Sequence, residues 1–500
     1  MSRRLQSRPS FLGVAVLFLA LILRLELLAT RSLWIDEALS LDVAALGPGG
    51  IVKLSRTAEP HPPAYYLMLW AWQIAFGDSV VTARVLSLLF GLATVLLTWI
   101  LGDRLFGEAV GLSAASLVAL HPFQLFASNE IRMYPLLATL GLGATTILAE
   151  AVARRDHLTL WVAYGVLAAA IAYTSYYGLL LLAGHGVAML AVFRGRRAWR
   201  GPLASAAVAL ACYFPWLPSL LPSVTSNPVP WRPQFTWTYP VEILISQTFG
   251  GHLLGTPAYQ DRGLPSPLWT VMVAPFVALL LLGGRTAVGS NGGVVLLASW
   301  LVPVVLVVVA SAILNKVAAY QYHLSYLQPY AACLLALGGR AIVYRVRTHE
   351  RRATALGLVI LVLGYVGPAA VVVQRGEREV YRFDAAARWL NARQARGDVT
   401  MYYVHTGHAV LRRYLASKGP EIVISVSAHR WTLEENRELL RGAVALLGAQ
   451  HKRVWLVLTP PFPPGSVEEL IRLLGERGYR AGGRGVAFGE VRIQLFERRR

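Results

Sequence analysis

A chain of 500 residues that is 55% hydrophobic and 15% charged, with a mean hydropathy of +0.50, carries more apolar surface than a soluble globular domain can bury. Its net charge of +20 comes from short Arg clusters between apolar runs, which fits the marking of cytoplasmic loops. No basic stripe is interleaved with stacking aromatics, so a nucleic-acid partner is excluded. Cys212 and Cys333 both fall inside apolar runs, which excludes a disulfide framework and a thiolate metal site and leaves the thiols lipid-facing or packed.

The basic N-terminus "MSRRLQSRPS" is followed by an apolar run with no small-residue cleavage site, and so leads into a retained first span. Crossing a hydrocarbon core takes roughly 17–25 apolar residues, and about eleven such runs are predicted. They are 11–29, 82–102, 109–127, 135–153, 158–174, 177–193, 202–221, 268–284, 293–314, 324–343 and 353–373. Arg24 and Glu26, inside the first run, are expected to neutralise each other at its outer end. With the N-terminus inside, Arg104, Arg154, Arg155, Arg194, Arg196, Arg197, Arg200, Arg285, Arg345, Arg347, Arg351 and Arg352 all fall in inner loops. The segment "AYYLMLWAWQIAF" (64–76) is too short to span and is laid in the outer interface, where Tyr65, Tyr66, Trp70 and Trp72 suit the headgroups.

This topology brings the polar interruptions to one side. Outer loops 30–81 and 222–267, together with "SNEIRMYP" (128–135), "YTSYYG" (173–178) and "YQYHLSY" (320–326), all emerge on the outer face. A site at the outer leaflet accounts for them. Residues 1–374 form the membrane domain in this reading, and 375–500 change to the composition of an extracytoplasmic soluble domain. There, strand-like runs at 399–405, 421–426, 453–458 and 491–496 alternate with helical patterns such as "TLEENRELLRGAVALLG", which predicts a small α/β fold. No Gly-rich loop follows a strand in it, so a nucleotide site is unsupported.

Asp36 and Glu37, in "WIDEALS", are the strongest chemical signal. Ionisable residues at a membrane boundary are costly and point to function, but Asp36 could equally cap a helix that begins at Glu37. Adjacent helical residues point about 100° apart, so the pair is not a clamp on one ligand. In "EPHPP", Glu59 and His61 share one side of a Pro-stiffened segment, which suits either a divalent cation, a sugar hydroxyl or a plain rigid turn. Glu130, Arg132 and Tyr134 alternate in "SNEIRMYP". Arg132 fits an anionic phosphate through its planar fork, and an internal pair with Glu130 is the other reading. Tyr173, Tyr176 and Tyr177 suit an interfacial belt.

The order of these motifs, from the early Asp-Glu pair through "HPPAYYLMLW", "FGDSVVTARVLS", "NEIRMYPLL" and "YTSYYGLLLL", resembles the C-type membrane glycosyltransferases of glycosyltransferase family 39. That group includes the protein O-mannosyltransferases, with the lipid A aminoarabinose transferase as a cousin. The resemblance spans residues 10–370 and is most specific in its first third. It implies transfer of a sugar, with inversion, from a polyprenyl phosphate in the outer leaflet to an acceptor hydroxyl on a glycan, lipid or protein. Asp36 would be the base and Glu37 its helper. Arg132 would face the donor phosphate, and Glu59, His61, Glu130, Tyr134, Tyr176 and Tyr322 would line the cavity. Many relatives carry an Arg-Tyr pair late in the chain where this one has Tyr322 and His323. Protonated His323, Lys316, or a Mg²⁺ or Mn²⁺ ion with Glu59 and His61 as candidate ligands would have to replace that cation. The setting implied is a bacterial-type inner membrane with the N-terminus cytoplasmic.

Two other classes compete. A transporter or flippase of lipid-linked sugars would want the same aromatics, but no internal repeat or matched pair of broken spans is present. A non-catalytic envelope scaffold leaves "WIDEALS" and "SNEIRMYP" on one face as coincidence.

Overall fold

The structure, a computed structural model, describes residues 11–28, 31–220, 233–248, 267–348 and 381–498. Excepted are 156, 194, 196–198, 417, 418, 426–431 and 461; 352, 355, 359, 364 and 366 are included. The expected span 353–373 therefore lies mostly outside the described residues, as do Arg194, Arg196, Arg197 and Arg351. The chain forms two units. The first holds the helices before residue 374 except for the segment 31–46, which groups with residues 381–498 in the second. Composition alone places 31–46 with the membrane domain.

Among its described residues the first unit forms helices and no strand, and helices satisfy their own backbone hydrogen bonds where water is absent. The helices Phe11–Leu28, Val80–Phe106, Tyr134–Ala153, Leu158–Thr174, Gly178–Val192, Arg200–Tyr213, Pro267–Ala287 and Asn291–Leu314 follow the expected spans closely. Val80–Phe106, Tyr134–Ala153, Arg200–Leu220 and Asn291–Leu314 are long and apolar enough to cross by themselves. Ser79 starts Val80–Phe106 by accepting from the Thr82 amide at 3.0 Å, and Gly107, at φ 94°, ends it. The short segment forms its own helix, Ala64–Phe76, tied to Val80–Phe106 where the Trp72 indole donates to the Thr82 carbonyl at 2.8 Å. Elsewhere, Gly283 and Gly338 bring the backbones of Pro267–Ala287 and Gln328–Arg345 together so closely that a Cβ on either would overlap a carbonyl of the other helix.

The structure departs from the expected spans in four places. The run 109–127 breaks at His121, giving Glu108–Leu120 and a short helix Pro122–Ala127. Pro122 disfavours helical geometry at His121, whose ring Nδ1 then accepts the Phe123 amide at 3.2 Å and caps the new helix. The run 324–343 opens as a 3₁₀ turn, Gln321–Leu327, before the helix Gln328–Arg345. A helix, Tyr239–Thr248, stands where the sequence predicts a loop. Finally, Arg24 and Glu26 do not pair with each other: Arg24 is buried and donates to Ser128 Oγ at 3.0 Å and to the carbonyls of Ala20 and Ala119, while Glu26 is exposed. Two residues apart on a helix, they face about 200° away from each other.

Polar seams hold these elements. Gln124 donates to the Ser325 carbonyl at 2.7 Å and to Gln328 Oε1 at 2.8 Å, and Gln328 passes the chain on to the Ser246 carbonyl at 3.0 Å. Deeper in the bundle His185 is fully buried, with Nε2 at 2.9 Å from Thr145 Oγ1 and Nδ1 at 3.1 Å from Tyr164 Oη; Thr145 also meets Tyr330 Oη at 2.9 Å. Cys333 is buried and Cys212 exposed.

The second unit is the expected α/β fold. Its strands are Val399–Tyr403 (β1), Glu421–Ile424 (β2), Arg453–Leu458 (β3), Tyr479–Ala481 (β4), Val486–Phe488 (β5) and Val491–Arg498 (β6). The sheet runs β2-β1-β3-β6-β4 with β5 also on β6; β1 lies parallel to β2 and β3, with Met401 opposite Ile422 and Leu456, and β6 antiparallel to β3. β1 and β3 are buried along nearly their whole length, as befits strands covered on both sides. The helix Leu433–Ala445 begins with a reciprocal capping box between Thr432 and Glu435. Strands β4 and β5 and the helix His405–Leu411 are absent from the sequence-based expectation because each is too short to show a period.

Candidate functional site

The Asp-Glu pair sits in the second unit, in the helix Ile35–Ala44. Trp34 is its N-cap, and the residue that closes the cap is Glu37, whose Oε2 accepts the Trp34 amide at 3.0 Å. The alternative in which Asp36 serves as the cap is therefore corrected: the helix starts two residues earlier, at Ile35. Glu37 is fully buried, whereas Asp36, one position around the helix, is half-buried. The two carboxylates thus have separate surroundings, and Glu37 is the one that holds the backbone of the turn.

In the first unit the break at Pro122 delivers the chain into a buried loop, 128–133, from which the helix Tyr134–Ala153 departs. Glu130 and Arg132 are 3% and 7% exposed, so an ion-bearing loop is held away from water. Arg132 Nη2 lies 2.9 Å from His61 Nε2. A guanidinium can only donate, so His61 accepts there and its ring is neutral. The Arg132 guanidinium also lies 5.9 Å from the centre of the Tyr134 ring. Tyr134 in turn meets Tyr322 and His323 edge-on at 5.8 and 6.2 Å. His323 stacks on Tyr177 at 4.5 Å, and Tyr322 stacks on Tyr320 at 5.5 Å. His61, Arg132, Tyr134, Tyr322 and His323, from three segments far apart in sequence, form one continuous line of contacts.

Several expectations need revision. His323 Nδ1 accepts the Tyr320 amide at 3.0 Å, which leaves the ring proton on Nε2 and makes the imidazole a neutral donor in place of the expected substitute cation. Glu59 Oε1 accepts the Tyr66 hydroxyl at 2.8 Å and His61 Nε2 accepts Arg132 at 2.9 Å, so one carboxylate oxygen and one ring nitrogen of the Glu59/His61 pair are directed to protein partners. Among the described residues no three His, Cys, Asp or Glu side chains gather into a metal-binding group. Tyr176 accepts the Trp216 indole N–H at 3.3 Å. Its neighbour Tyr177, which stacks on His323, and Tyr320, which stacks on Tyr322, are site residues that sequence reasoning misses. Both lie inside or beside aromatic motifs, but a motif cannot say which of two adjacent tyrosines faces inward.

A bundle of apolar helices with a buried loop that carries Glu130 and Arg132, joined in one chain to a carboxylate-bearing helix and an α/β domain, defines a multi-pass membrane protein of the C-type glycosyltransferase fold. Residues 60–218, which include His61, Arg132 and Tyr134, match the family model of the dolichyl-phosphate-mannose-protein mannosyltransferases. Among solved structures, ArnT from Cupriavidus metallidurans in the apo state is 14% identical with a TM-score of 0.60, the match covering 96% of this chain and 97% of that one. The same protein bound to undecaprenyl phosphate gives 13% and 0.58 at the same coverage. The oligosaccharyltransferase AglB from Archaeoglobus fulgidus, in complex with an inhibitory peptide and a dolichol-phosphate, gives 13% and 0.56 over 94% of this chain and 73% of that one. No curated protein matches.

Proposed function

We propose that this chain transfers a sugar from a polyprenyl-phosphate donor to an acceptor hydroxyl at the outer face of a bacterial-type inner membrane, with inversion. The observation that carries the reading is the buried Arg132, oriented by neutral His61 and flanked by the Tyr134, Tyr322 and His323 rings. It lies in the segment that matches a lipid-phosphate-sugar transferase family and in a fold shared with a protein solved with undecaprenyl phosphate.

In this mechanism Asp36 takes the proton of the acceptor hydroxyl as its oxygen attacks the anomeric carbon. The bond to the phosphate breaks on the opposite side, and the polyprenyl phosphate leaves with its new charge met by Arg132 and by the His323 Nε2 proton. Glu37 holds the first turn of the helix that carries the base. Glu59, His61, Glu130, Tyr134, Tyr176 and Tyr322 shape the substrate cavity. The acceptor is a glycan, lipid or protein.

The test is sugar transfer in proteoliposomes, offering undecaprenyl-phosphate mannose and undecaprenyl-phosphate aminoarabinose with membrane acceptors to wild type and Asp36→Asn. Consumption of donor by wild type and its loss in the variant, by several kcal/mol of barrier, is the expected outcome. Equal consumption by both removes Asp36 as the base. Movement of donor lipid across the bilayer without consumption replaces the enzyme with a transporter.

A further inference from the structure

The helix that carries Asp36 is gripped from both ends by one turn of the C-terminal domain. At its start, the Leu33 amide donates to Tyr414 Oη at 2.7 Å. Near its end, Asp42 Oδ1 receives Arg412 Nη2 at 2.5 Å and Arg413 Nη2 at 2.6 Å. These three partners are consecutive in the sequence, directly after the helix His405–Leu411. The turn is itself braced, since Asn391 donates to the Tyr414 carbonyl at 3.2 Å and accepts the Ala416 amide at 3.1 Å. Two further ties anchor the approach to the helix: the Asp384 amide donates to Ser32 Oγ at 3.3 Å, and Trp34 meets Tyr381 edge-on at 5.8 Å.

Asp42 is poorly placed for the helix it belongs to. A carboxylate in the last turn faces the negative end of the macrodipole, and no basic residue in that turn offsets it. Its charge is matched by the two guanidiniums from the other end of the chain, so the residue makes sense as an anchor and not as helix chemistry. The strand-to-helix corner that presents the turn is also unusual, because Val404, a β-branched residue, holds φ 74° between β1 and His405–Leu411. Strain at that corner is tolerated where the placement of the helix and turn beyond it matters.

We infer that Arg412, Arg413, Tyr414 and Asp42 are positioning residues for the transfer reaction: the C-terminal domain fixes the helix Ile35–Ala44, and through it the carboxylate of Asp36. This rests on the reading of Asp36 as the base. Displacing a base by about 1 Å costs on the order of 100-fold in rate, so the grip acts on kcat and leaves the donor KM unchanged.

Two measurements on the full-length protein separate the grip from the chemistry. The first is amide hydrogen exchange over residues 33–44 in nanodiscs, comparing wild type with the Arg412→Ala, Arg413→Ala double variant, with Asp42→Asn, and with the Arg412→Lys, Arg413→Lys variant. Roughly 10-fold faster exchange or more is expected in the first two and near recovery in the third, with exchange in β1 and β3 unchanged as the control for folding. Unaltered exchange over 33–44 overturns the grip whatever the activity shows. The second is donor consumption from undecaprenyl-phosphate mannose and undecaprenyl-phosphate aminoarabinose. A loss of kcat of about 100-fold at constant KM, restored by the Lys variant, supports positioning. Looser exchange with unchanged kcat overturns the positioning role while an inactive Asp36→Asn keeps the transferase reading. Full activity in Asp36→Asn overturns that reading and the positioning role with it, leaving the exchange result as a property of the fold alone.

Discussion

Arg132 donates to His61 across 2.9 Å, and the two residues come from loops 71 positions apart in the chain. Removing the acceptor leaves a buried guanidinium N–H without its partner, at a cost of about 1–3 kcal/mol. His61→Ala is therefore expected to lower kcat/KM for the lipid donor by roughly 10- to 100-fold, and His61→Asn, which keeps an acceptor, to lose less. Arg132→Lys is expected to lose more than either, because an ammonium cannot present two parallel donors to a phosphate. Steady-state transfer in proteoliposomes orders the three; a lysine variant as active as wild type removes Arg132 from the phosphate.

Glu37 closes the cap on Trp34. Gln fills the same role in a capping box, so Glu37→Gln should keep the stability of the second unit and most of the transfer rate. Glu37→Ala should cost about 0.5–2 kcal/mol, seen as a lower unfolding temperature. A Gln variant as damaged as the Ala variant would mean that the charge of Glu37, and not its hydrogen bond, is what matters.

His185 sits fully buried between Thr145 and Tyr164, and its replacement by Leu takes a partner from two buried hydroxyls. The loss of stability is expected to be about 1–3 kcal/mol, read as a lower melting temperature in detergent. His185→Gln should fall in between. Transfer kinetics at low temperature should be unchanged in both, since the network of His185, Thr145, Tyr164 and Tyr330 is separate from the Arg132 line.

Gly338→Ala places a methyl group against the Leu279 carbonyl, where the facing helix leaves no room. Overpacking of this kind costs about 1–3 kcal/mol, and thermal unfolding in detergent measures it. Gly442, which has nothing near it, is the matched control: Gly442→Ala in the helix Leu433–Ala445 should be neutral or stabilising.

Asp384 supplies a pH dependence with a definite sign. Burial alone would raise its pKa, but hydrogen bonds from Arg388, the Ala385 amide and Arg382 together outweigh it and hold the carboxyl below its ordinary value. A depressed folded pKa contributes stability that is complete above the unfolded value of about 3.9 and lost as pH falls through the lower folded value. Asp384→Asn should therefore melt below wild type at neutral pH, with the gap closing below about pH 4. A gap of the same size in neutral and strongly acidic buffer would show that the ion pairs contribute nothing.

Whatever depends on local pattern is legible in the sequence. The helix Ala64–Phe76 begins and ends at the residues where the apolar run does, and β1, β2, β3 and β6 match their β-branched runs, because burial imposes its period directly on the residues. Motifs that interrupt apolar runs also identify most of the neighbours that surround Arg132. The features that escape sequence reasoning depend on partners far along the chain. Nothing in "WIDEALS" says that its helix packs with residues 381–414, or that Glu37 rather than Asp36 closes the turn. Nor can "YTSYYG" choose between Tyr176 and Tyr177, since the choice is made by His323 arriving from much later in the chain.

The bond between Leu33 and Tyr414 spans 381 positions, and that separation also has a meaning in time. A ribosome adding about 5–20 residues per second exposes "WIDEALS" well before it has made the turn that holds it, a delay on the order of half a minute. During that interval a nascent or truncated chain can occupy the membrane without a settled helix 35–44. Synthesis of the turn 412–414 is then the event that finishes this segment, so that fragments released before it remain incomplete by construction of the fold rather than by surveillance.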